Sequence, residues 1–268
     1  MSDFFTISGD LGPLVATAVH DGHAVRESLH PYLHLDEPGR LREEDPFTGT
    51  WVAVGDTRIV GHHSRFEVDL NRPPERAVYR TPDDAWGLHV YEDLPDEEAE
   101  ASMVRYHQFY DAVRARLQSI QERFGSFVVY DLHTYNHRRD GADAPPADPE
   151  ANPEVNIGTG SLDRARWGQV ADQFMVDLKT FDFNGRNLDV RENVKFRGGH
   201  FSRWIHREFP GVSCVLAVEF KKFFMDEWTG RPDPAQVDLI LRALRSTVPG
   251  VRAAHEEVAE RHRELRPA

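Results

Sequence analysis

Two histidines three positions apart, His20 and His23, follow a short apolar run that begins at Leu14. At a strand-to-helix corner such a pair can aim at one metal ion, because imidazole binds zinc well, at about 2.0–2.1 Å. The plain alternative is a polar loop. His133 ends a second apolar run, Phe127 to Tyr130 followed by Asp131-Leu132, and Asp131 is placed to hold its imidazole or to close a turn. A single strand-end histidine is commonly structural. Two strand ends offering histidine in one sheet suit a catalytic zinc site, which usually has three protein ligands and a water. Arg65, Asn71 and Arg72 form a second constellation. Arginine is a rigid fork for carboxylates, so it suits an acidic substrate, or else a surface ion pair with Asp69 or Glu75. Glu219 sits inside the apolar run Val215 to Phe220, and strand alternation puts Val218 and Phe220 on the opposite face. A carboxylate there needs a partner, and a metal-activated water would make it a general base. The alternative is an edge strand with Glu219 in solvent. Phe196-Arg197-Gly198-Gly199-His200 is a turn whose paired glycines let backbone approach a ligand, with Arg197 and His200 as polar heads. It lacks the Lys-Ser/Thr of a phosphate loop. His62 and His63 read as surface or supporting residues, and Cys214 as a small core residue with an inert thiol.

The elements that must carry these residues follow from periodicity. Strands are expected at Leu14–Val19, Thr57–Val60, Phe66–Leu70, Phe127–Tyr130 and Val215–Phe220. The strongest helical pattern runs from Asp96 to Phe124, with Met103, Tyr106, Phe109, Tyr110, Val113, Leu117 and Ile120 on one face and Gly125 as its stop. Further helices are expected at about Leu162–Phe181, near Phe201, and from Pro234 to Thr247 or beyond, with a charged helical tail over Ala253–Arg266. Residues 31–51 read as loop with one short helix, and residues 136–154 as loop. Strands alternating with helices predict an α/β sheet covered on both faces, and in such sheets sites form outside the carboxyl ends of the strands. His20, Asp69 to Arg72, His133 and Glu219 all fall there.

Composition bounds the function. The 268 residues are 40% apolar and 29% charged, as in a globular protein able to bury a core, and one domain over 1–268 is expected. A formal charge of −13 argues against a nucleic-acid partner. No run approaches the roughly 18 apolar residues of a membrane span, and Met1–Asp10 lacks the pattern of a signal peptide. Cys214 is the only cysteine, so a reducing cytoplasm is expected and any metal must rely on the 14 histidines and the acids.

Six pieces in order carry a resemblance: Ala18-Val19-His20-Asp21-Gly22, Ser64 to Pro73, Tyr130-Asp131-Leu132-His133, Asn156-Ile157-Gly158-Thr159, Phe196 to His200, and Ala217-Val218-Glu219-Phe220. Together they resemble the N-formylglutamate amidohydrolase family, a branch of the zinc-carboxypeptidase-like hydrolases that includes aspartoacylases. The resemblance implies a three-layer α/β/α sandwich with a mixed central sheet and one zinc ion with His20 and His133 as ligands. It implies Arg65 polarising the scissile carbonyl, Asn71 and Arg72 holding a substrate carboxylate, and Glu219 as general base and then acid. The superfamily usually has His-x-x-Glu at the first ligand pair. Here His23 replaces that Glu as the favoured third ligand, with an acid of Glu43-Glu44-Asp45 as the alternative. The expected activity is zinc-dependent hydrolysis of the amide of a small N-acyl amino acid. The rivals are a carboxypeptidase-like hydrolase of a small peptide and a non-catalytic binding module of the same fold.

Overall fold

The computed structural model describes residues 4–264. Seven strands form one sheet: β1 (Phe5–Gly9), β2 (Leu14–Ala18), β3 (Thr57–Gly61), β4 (Phe127–Tyr135), β5 (Val155–Gly158), β6 (Val190–Glu192) and β7 (Ser213–Lys221). Their order is β1-β3-β2-β4-β7-β5-β6. β3, β2, β4 and β7 run parallel; β1 and β5 join them antiparallel, and β6 runs parallel to β5. The sheet is therefore mixed, as expected. The central strands read as near-continuous apolar runs because helices cover both of their faces.

One face of the sheet, with Ala16, Tyr130, Leu132, Leu216, Val218 and Phe220, packs on α4 (Arg164–Thr180) and α6 (Pro234–Glu264). The other face, with Val15, Val129 and Val215, packs on α3 (Asp96–Phe124) and α5 (His200–Glu208). Two short helices, α1 (Glu37–Glu43) and α2 (Thr48–Trp51), lie in the connection from β2 to β3. α3 begins with Asp96, Glu97 and Glu98, which complement the helix dipole, and ends at Gly125 in the left-handed region, φ +79°. Asp163 caps α4 by accepting from the Arg166 amide at 3.2 Å. Among the described residues no helix is long and apolar enough to cross a membrane.

Three expectations are corrected. Phe66–Leu70 is a chain of turns, not a strand. Its apolar residues still fall at every second position, Phe66 in one core and Val68 and Leu70 in another, and that spacing mimics a strand. Its carbonyls are satisfied by tyrosines instead of a neighbouring strand: Tyr91 donates to Phe66 O at 2.5 Å, and Tyr110 to Leu70 O at 2.7 Å. Residues 31–51 hold two short helices, α1 and α2, where one was expected. The charged tail is not separate. α6 continues through Pro249 to Glu264, and residues 265 and 266 of the expected tail lie outside the described residues. A Cβ on Gly250 would stand 2.1 Å from Asp177 Oδ2, so this glycine lets α6 press against α4. β1, β5 and β6 lie toward the edges of the sheet and are too short or too polar to show a period in sequence.

Candidate active site

The carboxyl ends of the parallel strands β2, β4 and β7 reach one edge of the sheet. His20 lies two residues past β2, His133 lies two residues before the end of β4, and Glu219 lies in β7 as the register partner of His133. Asp45 arrives from the segment after α1, held by its amide donating to His20 O at 2.9 Å and by Thr134 Oγ1 donating to Asp45 Oδ1 at 2.9 Å.

His20, Asp45 and His133 form a buried group that could hold a metal ion, with ligand atoms within 4.8 Å of one another. The Asp45 Oδ2 atom lies 2.9 Å from His133 Nδ1 and 3.4 Å from His20 Nδ1. The far nitrogens are tied down by other buried carboxylates. His20 Nε2 lies 2.7 Å from Asp69 Oδ1, and His133 Nε2 lies 3.2 Å from Asp131 Oδ1. Asp131 is itself fixed by hydroxyl donors, Thr17 at 2.9 Å and Ser202 at 2.9 Å. A carboxylate on the outer nitrogen of each imidazole holds the ring so that the inner nitrogen, once its proton is displaced, can bind an ion, the arrangement that orients histidine ligands.

The residues present fit a divalent cation. His20 Nδ1 is buried and makes no hydrogen bond among the described residues. Such an orphan is costly unless something else satisfies it. Carboxylates also crowd the two imidazoles: Asp45 faces both, Asp69 meets His20, Asp131 meets His133, and Glu219 is the register partner of His133. Burial alone would raise the Asp45 carboxyl, but His133 and His20 outweigh it and hold Asp45 far below the usual range. Burial alone would lower the His133 imidazole, but Asp131 and Asp45 raise it well above its ordinary value.

His23, the expected third ligand, stands apart from this group. Its Nδ1 lies 2.5 Å from Glu44 Oε2, and its Nε2 is 3.5 Å from Glu37 Oε1. The correction has a geometric cause: the chain turns at Asp21-Gly22, and Gly22 packs so tightly on the His62 backbone that a Cβ would stand 2.1 Å from it, which carries His23 away from His20. Of the acids held open as the alternative, Asp45 is the one brought to the two histidines. Glu44 takes His23 and Ser64, and Glu43 takes Arg139 at 3.2 Å.

A pocket of about 230 Å³ opens onto the group. Its wall includes Arg65, Asn71, Arg197 and Glu219 from the expected residues, and Trp86, Asn136, Arg139 and Lys222, which the sequence reading missed. Arg65 is held by Asp69 at 2.7 Å and stacks over Trp86, 4.8 Å from the ring centroid. Burial opposes its charge, but Asp69 outweighs that and keeps its pKa well above the usual value. Asn71 is fixed by accepting from the Phe201 amide at 2.9 Å, and its amide is 3.5 Å from His133 Nε2. A Cβ on Gly199 would stand 2.1 Å from Asn71 Oδ1, so this glycine serves close packing against Asn71. Arg197 is exposed and makes no ion pair among the described residues. Glu219 has no hydrogen-bond partner among them, and burial pushes its carboxyl up to about 8.

Arg72 and His200 do not line the pocket. Arg72 stacks over Tyr79 with its Nε 3.6 Å from Asp69 Oδ2, and His200 packs near Tyr110 while its amide donates to Asn71 O at 3.2 Å. His63 is buried against Glu67 at 2.9 Å, away from the pocket, and His62 bonds Thr6 at 2.6 Å.

A family model described as N-formylglutamate amidohydrolase matches residues 12–222, a span that contains every pocket residue named above. The chain belongs to the N-formylglutamate amidohydrolase family. The crystal structure of an N-formylglutamate amidohydrolase from Ralstonia eutropha JMP134 is similar in fold, with a TM-score of 0.69 at 19% identity over 97% of this chain and 99% of that one. A gene product of Agrobacterium tumefaciens is similar too, with a TM-score of 0.65 at 16% identity over 94% of this chain and 97% of that one. At these identities the likeness speaks for the fold. No curated protein matches the chain. In this member of the N-formylglutamate amidohydrolase family, the residues that could meet a substrate and those that could meet a metal share one pocket.

Proposed function

We propose that the protein is a metal-dependent amidohydrolase that removes the formyl or another small acyl group from an N-acyl amino acid bearing a carboxylate. The family supports hydrolysis of a non-peptide C–N bond. The observation that carries the metal reading is the pair of imidazoles whose outer nitrogens each meet a buried carboxylate while their inner nitrogens face Asp45. It also supports the kinship with zinc-carboxypeptidase-like hydrolases drawn from the sequence.

His20, Asp45 and His133 would hold one zinc ion, which supplies Lewis-acid polarisation and a more acidic water. The protein's own groups do the rest. Glu219 points into the pocket beside His133, free of competing hydrogen bonds, and takes the proton of the attacking water. Its raised pKa suits a group that must accept a proton and return it. The returned proton goes to the amine nitrogen as the C–N bond breaks, giving the free amino acid and the acyl carboxylate. Arg65, locked by Asp69, faces the negative charge that grows on the carbonyl oxygen. Arg197, exposed at the pocket rim, receives the substrate carboxylate and so fixes the amide in register with Glu219.

The test is elemental analysis of the wild type beside His133→Ala, with hydrolysis of N-formylglutamate followed for both. The expected result is about one zinc per chain, lost together with hydrolysis in the variant. A wild type that hydrolyses the substrate after exhaustive metal removal would overturn the metal reading.

A further inference from the structure

We propose that His34, His89 and Glu92 form a second, surface site for a divalent transition-metal ion of the zinc class, distinct from the pocket. The three side chains come from two segments far apart in sequence, and their ligand atoms lie within 4.8 Å of one another. The rings of His34 and His89 stand 4.4 Å apart, tilted by 37°. Glu92 Oε2 lies 3.8 Å from His34 Nδ1 and 4.0 Å from His89 Nε2. Neither separation is a hydrogen bond. Both are close to the spacing of two donors that share one small ion, so a slight rotamer change of exposed side chains closes the site. Two imidazoles and one carboxylate are a donor set that zinc, nickel and copper accept.

The backbone beneath is already ordered. Residues 32–35 and 90–92 make a short antiparallel pairing, with Leu33 opposite Tyr91. His34 N donates to Val90 O at 2.9 Å, Leu35 N to Val90 O at 3.2 Å, and Glu92 N to Tyr32 O at 2.8 Å. Leu29, Phe66, Tyr79, Ala85, Val90 and Tyr91 form a small core of their own under it. The ligands therefore stand on a fixed frame, and little ordering remains to oppose binding. The segment that brings His89 also carries Trp86, which lines the pocket and stacks on Arg65. An ion at His34, His89 and Glu92 would fasten this segment to residues 32–35 from the solvent side.

The test uses the full chain and Zn²⁺ alone in equilibrium dialysis. The wild type is compared with the double variant His34→Ala/His89→Ala, whose positions are exposed and outside every core. The expected result is one zinc equivalent fewer in the double variant, whatever count the buried group contributes, with N-formylglutamate hydrolysis unchanged at low zinc. Hydrogen exchange at the amides of His34, Leu35 and Glu92 should slow on adding zinc to the wild type and stay unchanged in the variant. Equal zinc counts in the two proteins, or exchange that slows alike in both, would overturn the site. Because the reading is a difference between two proteins, it fails or stands separately from the metal reading of His20, Asp45 and His133.

Discussion

His133 and Glu219 are register partners on two adjacent parallel strands, β4 and β7. Their side chains leave the same face at the same height, so the group proposed to carry the proton stands beside a group proposed to hold the metal. No loop has to close to bring them together. Glu219→Gln keeps the shape and removes the base. Turnover of N-formylglutamate should fall by about 10²–10⁴ while zinc content stays at the wild-type level. A variant that keeps more than a tenth of wild-type turnover would remove Glu219 from the mechanism.

The same carboxyl makes a stability prediction for the metal-stripped protein. Burial pushes Glu219 up to about 8, whereas in the unfolded chain it titrates near 4.3, the ordinary value. Between those two values the folded state holds a proton that the unfolded state releases. The group therefore subtracts stability as pH rises through that window, and the loss levels off above the folded value. Glu219→Gln lacks this penalty. Stripped of metal, it should match the wild type near pH 4 and exceed it by about 3–5 kcal/mol near pH 9. Denaturant melts of both proteins across this range check it, and parallel curves would refute it.

Asp45 and His23 give opposite expectations for metal content. Asp45 faces both imidazoles from a buried position, while His23 is engaged with Glu44 and partly exposed. Asp45→Ala should lose bound zinc, and His23→Ala should keep it. Side-by-side elemental analysis decides between them. Zinc lost from His23→Ala and kept by Asp45→Ala would return the third ligand to the His-x-x-His spacing.

The strand ends and the groups on them were legible because a buried parallel strand announces itself as an apolar run with a polar end. His133 after Phe127–Tyr130 and Glu219 within Val215–Phe220 needed no partner to be noticed. Residues positioned by tertiary contacts were not. Asp45 is one of three consecutive acids, and nothing local separates the one that turns inward from Glu43 and Glu44. Asp69 was read as a strand-end residue and an ion-pair partner, but not as the group that binds His20, Arg65 and Tyr79 together. The spacing of His20 and His23 suggested a pair, but spacing does not report the tight turn at Gly22. Phe66–Leu70 misled for the related reason that apolar residues at every second position have the period of a strand, although here Glu67 and Asp69 between them are buried as well.

Arg197 and Arg72 separate substrate contact from scaffold. Arg197 lines the pocket without an ion pair among the described residues, whereas Arg72 lies behind Asp69 and Tyr79. Arg197→Ala should raise KM for an N-formyl amino acid with a free carboxylate about tenfold or more, a loss of about 1.4 kcal/mol. It should change KM little for the corresponding amide. Arg72→Ala should affect both substrates alike. Equal effects of Arg197→Ala on acid and amide would take the carboxylate away from it.

Lys222 is a buried lysine of the pocket wall that braces the segment leading to Asp45. It is 1% exposed, and its ammonium donates to the carbonyls of Arg42 and, at 2.8 Å, Glu44, the residue before Asp45. Burial lowers its pKa to about 8, although the surrounding acids, Asp45 first, favour the charge. Lys222→Met fills the volume but leaves two buried carbonyls without a donor, at about 1–3 kcal/mol each. The loss of stability alone would show only a structural role. The distinguishing outcome is zinc affinity, because the released 42–44 backbone no longer holds Asp45 against His20 and His133. Val113→Ala, a cavity in the α3 core remote from the pocket, serves as the control. It should lower Tm with zinc affinity intact, whereas Lys222→Met should lower both. If Lys222→Met binds zinc as tightly as Val113→Ala does, the lysine supports the fold but does not position Asp45.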